Sequence, residues 1–135
     1  MKFEDIEMGF EYVSSTMRHM NHAILSRKTG KMYYISELFD SDELPDDIDD
    51  PDIYIAIPHK TELNLGKHLV FDFVSEYLPD DYDKVSDIFR SKGAYSRYKD
   101  LLEHRGLLDN WYAYEEAAKK KKLMAWCKEN DIVCS

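Results

Sequence analysis

Apolar side chains recur at Phe3, Ile6, Phe10 and Val13, a spacing that gathers them on one side of an amphipathic helix over about residues 3–15. Ser14 and Ser15 close it. The period then changes. Residues 22–27 and 31–36 are rich in β-formers and flank Lys28, Thr29 and Gly30. A glycine there supplies the positive φ of a tight reversal, so the stretch predicts a β-hairpin. Residues 37–52 hold nine acidic side chains, no basic one, and Pro45 and Pro51, which predicts a loop. Ile53 to Ile57 is a short β-branched run closed by Pro58. It reads as a third strand, expected beside the strand at residues 31–36.

From Thr61 the helical period returns. Leu65, Leu69, Val70, Phe73, Val74, Tyr77 and Leu78 share one face, with Thr61 or Asn64 as the expected cap and Pro79 as the stop. Val85, Ile88 and Phe89 mark a short helix. Tyr95, Tyr98, Leu101 and Leu102 mark another, stopped by Gly106. Asp109 is placed to cap a last helix from Asn110 to about Glu129, and Ile132 to Cys134 reads as a tail or edge strand. The prediction is a single α+β domain over residues 1–135: a small antiparallel sheet, hairpin plus third strand, packed by about five helices.

Charge changes this picture more than composition does. The chain has 135 residues, 44% hydrophobic, and a formal net charge of −9, which fits one globular domain with a real core. Residues 1–83 carry 19 acidic against 7 basic side chains, whereas residues 84–135 carry 8 against 11. An overall acidic chain disfavours non-specific nucleic-acid binding, although the basic end can present a local patch. No apolar run approaches the ~20 residues of a spanning helix, so no membrane partner is expected. The N-terminus lacks a basic-then-apolar leader. The expected location is therefore cytoplasmic, with Cys127 and Cys134 as thiols rather than a structural disulfide.

The densest chemistry lies around Arg90, Tyr95, Arg97, Tyr98, Lys99 and Arg105. Aromatics interleaved with cations can stack bases and clamp phosphates. The same spacing also builds a buried stripe of Tyr95, Tyr98, Leu101 and Leu102, with Arg97–Asp100 and Lys99–Glu103 as surface pairs. Trp111 and Trp126 are expected in the core, while Tyr112 and Tyr114 suit either core or interface. Glu115 and Glu116 precede Lys119 and Lys120 by four residues, the favourable order on a helix.

Other chemistries fail on spacing. Counted from Asp40, the EF-hand positions six and twelve are Pro45 and Pro51 instead of Gly and Glu. His19, His22, His59, His68 and His104 form no HExxH, and no Cys/His set has zinc spacing. Neither a G-x-S-x-G nor a P-loop is present. No cofactor or metal is implied, and a catalytic reading requires a composite site of distant histidines and carboxylates.

One resemblance covers most of the chain. It rests on Leu25 through Tyr34, the strand ending Ile57-Pro58, the run Gly93 through Leu102, then Trp111 through Tyr114, and Ala125-Trp126. In that order these pieces resemble the bacterial uncharacterised protein family 0158. The resemblance implies a compact domain and no particular activity. Ser96 stands where a second basic residue is expected, which weakens the nucleic-acid reading. The leading expectation is a non-enzymatic module that binds another protein, using acidic Asp46 and Asp47 or the aromatic Tyr112 and Tyr114. An RNA-associated role through Arg90, Arg97, Tyr98 and Lys99 comes second, and an enzyme with a composite site third.

Overall fold

A computed structural model describes residues 1–36 and 44–134. They group into two compact units, one joining Met1–Leu63 to the chain from Lys121 onward, the other Asn64–Lys120. Helix α5 (Leu108–Glu129) starts in the second and ends in the first.

In the first unit, α1 (Phe3–Ser14) buries Phe3, Ile6, Gly9, Phe10 and Val13, the predicted stripe. It packs on a three-stranded antiparallel sheet of β1 (Asn21–Ser26), β2 (Met32–Ser36) and β3 (Tyr54–Ala56). Close approach is possible because Gly9 has no side chain. A Cβ there would lie 3.4 Å from Ala23 Cβ and Ile57 Cγ1, and 3.2 Å from the Met32 methyl. One turn on, the Tyr12 and Tyr34 rings meet edge to face at 5.0 Å. The hairpin forms as expected. Gly30 takes φ 77 and donates its amide to Ser26 O at 2.9 Å.

The strand order is β2-β1-β3, which corrects the expected neighbour of the third strand. β3 pairs with β1, Leu25 opposite Ile55, not with β2. The reason lies in burial. β1 encloses Ala23 and Leu25, whereas every β2 residue is half-exposed. The strand with most to bury takes the centre, and β2 becomes an edge.

The expected acidic loop falls partly outside the described residues, at 37–43. From Leu44 onward it is turned rather than irregular. Amides of Ile48, Asp50 and Ile53 each bond a carbonyl three residues back, and Asp50 Oδ1 accepts from the Asp52 amide at 3.0 Å. The tail from Ile132 to Cys134 forms no strand.

In the second unit, α2 (Lys67–Tyr77) starts later than Thr61 predicts. A separate 3-10 turn spans Lys60–Leu63 at the end of the first unit's segment, and Asn64 adopts φ 57, a left-handed conformation that keeps the turn apart from α2. Neither Thr61 nor Asn64 caps α2. Gly66 occupies the cap position without a side-chain bond. Helices α3 (Tyr82–Ile88) and α4 (Ala94–His104) follow. Gly106, at φ 71, ends α4: its amide bonds Glu103 O and the Leu107 amide bonds Leu102 O, the two bonds of a Schellman motif. α5 begins at Leu108, so Asp109 stands in its first turn instead of at the cap. There its charge still favours the helix N-terminus.

The core of the second unit is aromatic. Trp111, Tyr98 and Phe73 are its largest fully buried side chains. Tyr98 meets Trp111 edge-on at 5.2 Å, and Phe73 meets Trp111 at 5.3 Å and Tyr114 at 5.2 Å. Such pairs add stability beyond area burial. Trp126, in contrast, is half-exposed. It precedes buried Cys127 by one residue, about 100° round the helix, and so lies at the edge of the Leu123–Cys127 stripe instead of in the expected core.

Candidate functional site

The basic-aromatic helix is assembled differently from its expected surface. Arg97 does not pair with Asp100. One Nη of its guanidinium donates to Ile88 O at 3.1 Å, Ser91 Oγ at 2.6 Å and Lys92 O at 3.0 Å. It thereby satisfies carbonyls at and beyond the end of α3, where a helix leaves acceptors without internal partners. Tyr98 is fully enclosed, and burial pushes its phenol well above the usual tyrosine range. Its hydroxyl and Trp111 Nε1 have no hydrogen-bond partner among the described residues.

The neighbouring cations also face protein groups. Arg90 approaches Asp87 at 3.4 Å on the surface. Arg105 makes two bonds to Asp81, at 3.0 and 3.2 Å, and these hold the Asp81 carboxyl below its usual range. Lys99 Nζ lies 5.4 Å above the ring of exposed Tyr112. The structure therefore brings Lys99 and Tyr112 together, fixes Arg97 to the α3–α4 turn, and leaves Tyr114 half-buried among Phe73 and Trp111. On α5, Lys119 pairs with Glu116 at 3.0 Å.

His59 and His68 have unlike surroundings. His59 is buried, with Nε2 2.8 Å from Thr16 O and Nδ1 2.9 Å from Thr61 Oγ1. Because the Thr61 amide donates to Nδ1 at 3.2 Å, the ring hydrogen belongs on Nε2. Glu62 completes this knot by accepting from the His59 amide at 2.8 Å and Arg18 at 2.8 Å. Burial raises the Glu62 carboxyl, but those two bonds outweigh it, and the group ends below its usual range. Every polar atom of the His59 ring is thus engaged in holding backbone. His68 is exposed beside Asp72 at 3.7 Å. Among the described residues no group of three or more His, Cys, Asp or Glu side chains is placed to hold a metal ion.

Two acidic surfaces remain in the first unit. Asp46, Asp47, Asp49 and Asp52 are exposed on the turned segment, with Asp47 accepting from the Tyr54 hydroxyl at 3.0 Å. On α1, Glu4, Glu7, Met8 and Glu11 share one open, shallow surface. Met8 is 63% exposed at the centre of this carboxylate face. The sequence signal was present in the register: positions 4, 7, 8 and 11 form one helical face opposite Phe3, Ile6, Phe10 and Val13, but reading the buried stripe alone passes over it.

Among the described residues no helix is long and apolar enough to cross a membrane. A model of an uncharacterised protein family, UPF0158, matches residues 11–135, and the chain belongs to that family. No curated protein and no solved structure matches it.

Proposed function

We propose that this member of UPF0158 is a small protein-interaction module, and that it docks a basic partner segment on the acidic, methionine-bearing face of α1. The observation that carries the reading is the open surface on which Glu4, Glu7 and Glu11 surround Met8. Carboxylates steer and orient a cationic segment. An unbranched thioether adapts to whatever apolar side chain the partner inserts. The exposed aspartates at 46, 47, 49 and 52 extend the same charge over the unit and would repel a phosphate backbone. The RNA-associated reading has less support, because Arg97, Arg90 and Arg105 already face protein acceptors.

The test is a photo-crosslinking amino acid placed at Met8 in the full chain and irradiated in cells. Supporting the proposal would be one crosslinked protein, attached through a Lys- or Arg-rich segment and lost with Glu4→Lys plus Glu11→Lys. If the adducts survive that charge reversal, or match those from a control label at Lys28, the α1 face is not the docking surface.

A further inference from the structure

The end of α5 carries a chemistry that the docking surface does not use. Its last turn closes in a second Schellman motif: the Ile132 amide bonds Cys127 O at 2.8 Å, the Asp131 amide bonds Lys128 O at 3.3 Å, and Asp131 adopts φ 59. This left-handed residue reverses the chain and lays the tail back along the helix. Ile132 is buried by the reversal, and two residues later the Cys134 thiol comes within hydrogen-bonding reach of the Cys127 thiol. The two cysteines also line one open groove of about 430 Å³, together with Met124, Lys128 and Val133.

We propose that Cys127 and Cys134 form a redox-active dithiol, which a low-molecular-weight disulfide of the glutathione type converts reversibly into an intramolecular disulfide. The two thiols differ in access: Cys127 is buried at 2% exposure and Cys134 is half-exposed. The reagent therefore enters at Cys134. The Cys134 thiolate attacks one sulfur of the small disulfide, forms a mixed disulfide and releases one thiolate. Cys127 sulfur then attacks the Cys134 sulfur of that mixed disulfide. The protein S–S bond forms, the bond to the small thiol breaks, and the Cys127 proton passes to the second departing thiolate. In total the protein loses two electrons and two protons, and one small disulfide becomes two thiols. The second step needs no reagent at the buried sulfur, so the burial of Cys127 does not block it.

Burial first, and then the Cys134 contact, push the Cys127 thiol up to about 12. It stays protonated at neutral pH, which assigns the first attack to Cys134 and makes closure faster in alkali. Closure ties the tail to the last turn of α5 through a short ring and leaves the rest of the fold as it is.

The experiment uses the full chain, reduced and desalted, then equilibrated in glutathione buffers of rising oxidised-to-reduced ratio. Samples are acid-quenched, alkylated under denaturing conditions and weighed intact. The expected product is lighter by two hydrogens, carries neither glutathione nor alkyl group, runs as a monomer on a non-reducing gel and reverts with dithiothreitol. Cys127→Ala should trap glutathione on Cys134 as a mixed disulfide, with a lifetime at least about tenfold longer than in the natural chain. Three outcomes overturn the proposal: both thiols alkylated at every ratio, a stable glutathione adduct on the natural chain, or a disulfide between two chains. The mass of the natural chain decides the matter by itself, so a Cys127 variant that fails to fold does not shelter the idea.

Discussion

The Arg27 guanidinium donates to the carbonyl oxygen of Asn130 at 2.7 Å, linking two residues 103 positions apart. Arg27 leads the turn of the β1–β2 hairpin, and Asn130 follows the last residue of α5. A cation at a helix C-terminus meets both an unpartnered carbonyl and the negative end of the helix dipole. Replacing Arg27 with Met keeps much of the stem and removes the bond. Urea denaturation should then show a loss of about 1 kcal/mol, smaller in high salt. An unchanged midpoint would mean the bond contributes nothing net.

Gly9 sets a second expectation. Alanine there gains helix propensity and meets first the movable Met32 methyl at 3.2 Å, so its effect should be small in either direction. Valine adds branches that reach Ala23 and Ile57, and should cost about 1–3 kcal/mol through overpacking. Thermal melts of both variants, compared side by side, separate crowding from propensity.

Arg97 and Lys99 should part company. Arg97→Ala removes the donor that holds Ile88 O and Lys92 O, and should lower stability by about 1–2 kcal/mol. Lys99→Ala leaves only an exposed ring contact unmade and should change stability by less than about 0.5 kcal/mol. Equal, negligible effects on stability together with loss of RNA binding by filter assay would restore the nucleic-acid reading of α4.

The Arg105–Asp81 pair predicts an acid limb. The Asp81 carboxyl is depressed when folded, chiefly by the Arg105 hydrogen bonds. Its contribution is therefore complete above the unfolded carboxylate value of about 3.9 and fades as pH falls through the lower folded value. Asp81→Asn should be less stable than the natural chain at pH 7, and the gap should close on acidification. A gap that persists unchanged at the lowest pH would assign the loss to packing.

On the turned acidic segment, Asp46→Lys with Asp47→Lys should weaken capture of a basic partner by about two- to tenfold at low salt, with the difference shrinking as salt screens it. Tyr54→Phe is the matching control, since it removes the Asp47 hydrogen bond without altering charge. Binding that ignores the double reversal would confine docking to α1.

These expectations also mark what the sequence discloses. The α1 stripe and the Thr29-Gly30 hairpin were legible because each depends on neighbours a few residues apart. The placement of β3 beside β1 was not, since pairing across a long connection is decided by which strand has most to bury. Helical spacing sets Arg97 against Asp100 on its own helix, whereas its partners are Ile88 O at the end of the preceding helix and Ser91 Oγ and Lys92 O just beyond it. The turn at Gly93 between two helices, followed by an arginine four residues on, is the only trace of that clamp in the residue order. The approach of Cys134 to Cys127 depends on a left-handed backbone at Asp131, a non-glycine position that carries no such label.

Trp111 is buried among Tyr98, Phe73 and Tyr114 in the second unit, and Trp126 is half-exposed in the first. The chain thus contains two tryptophan fluorophores in unlike surroundings, one per unit. Trp126→Phe leaves a blue-shifted emission that reports only the aromatic core, and Trp111→Phe leaves a redder one that reports only the sheet-bearing half. Two denaturation curves, read at two wavelengths without any attached dye, would show whether both halves melt as one cooperative body.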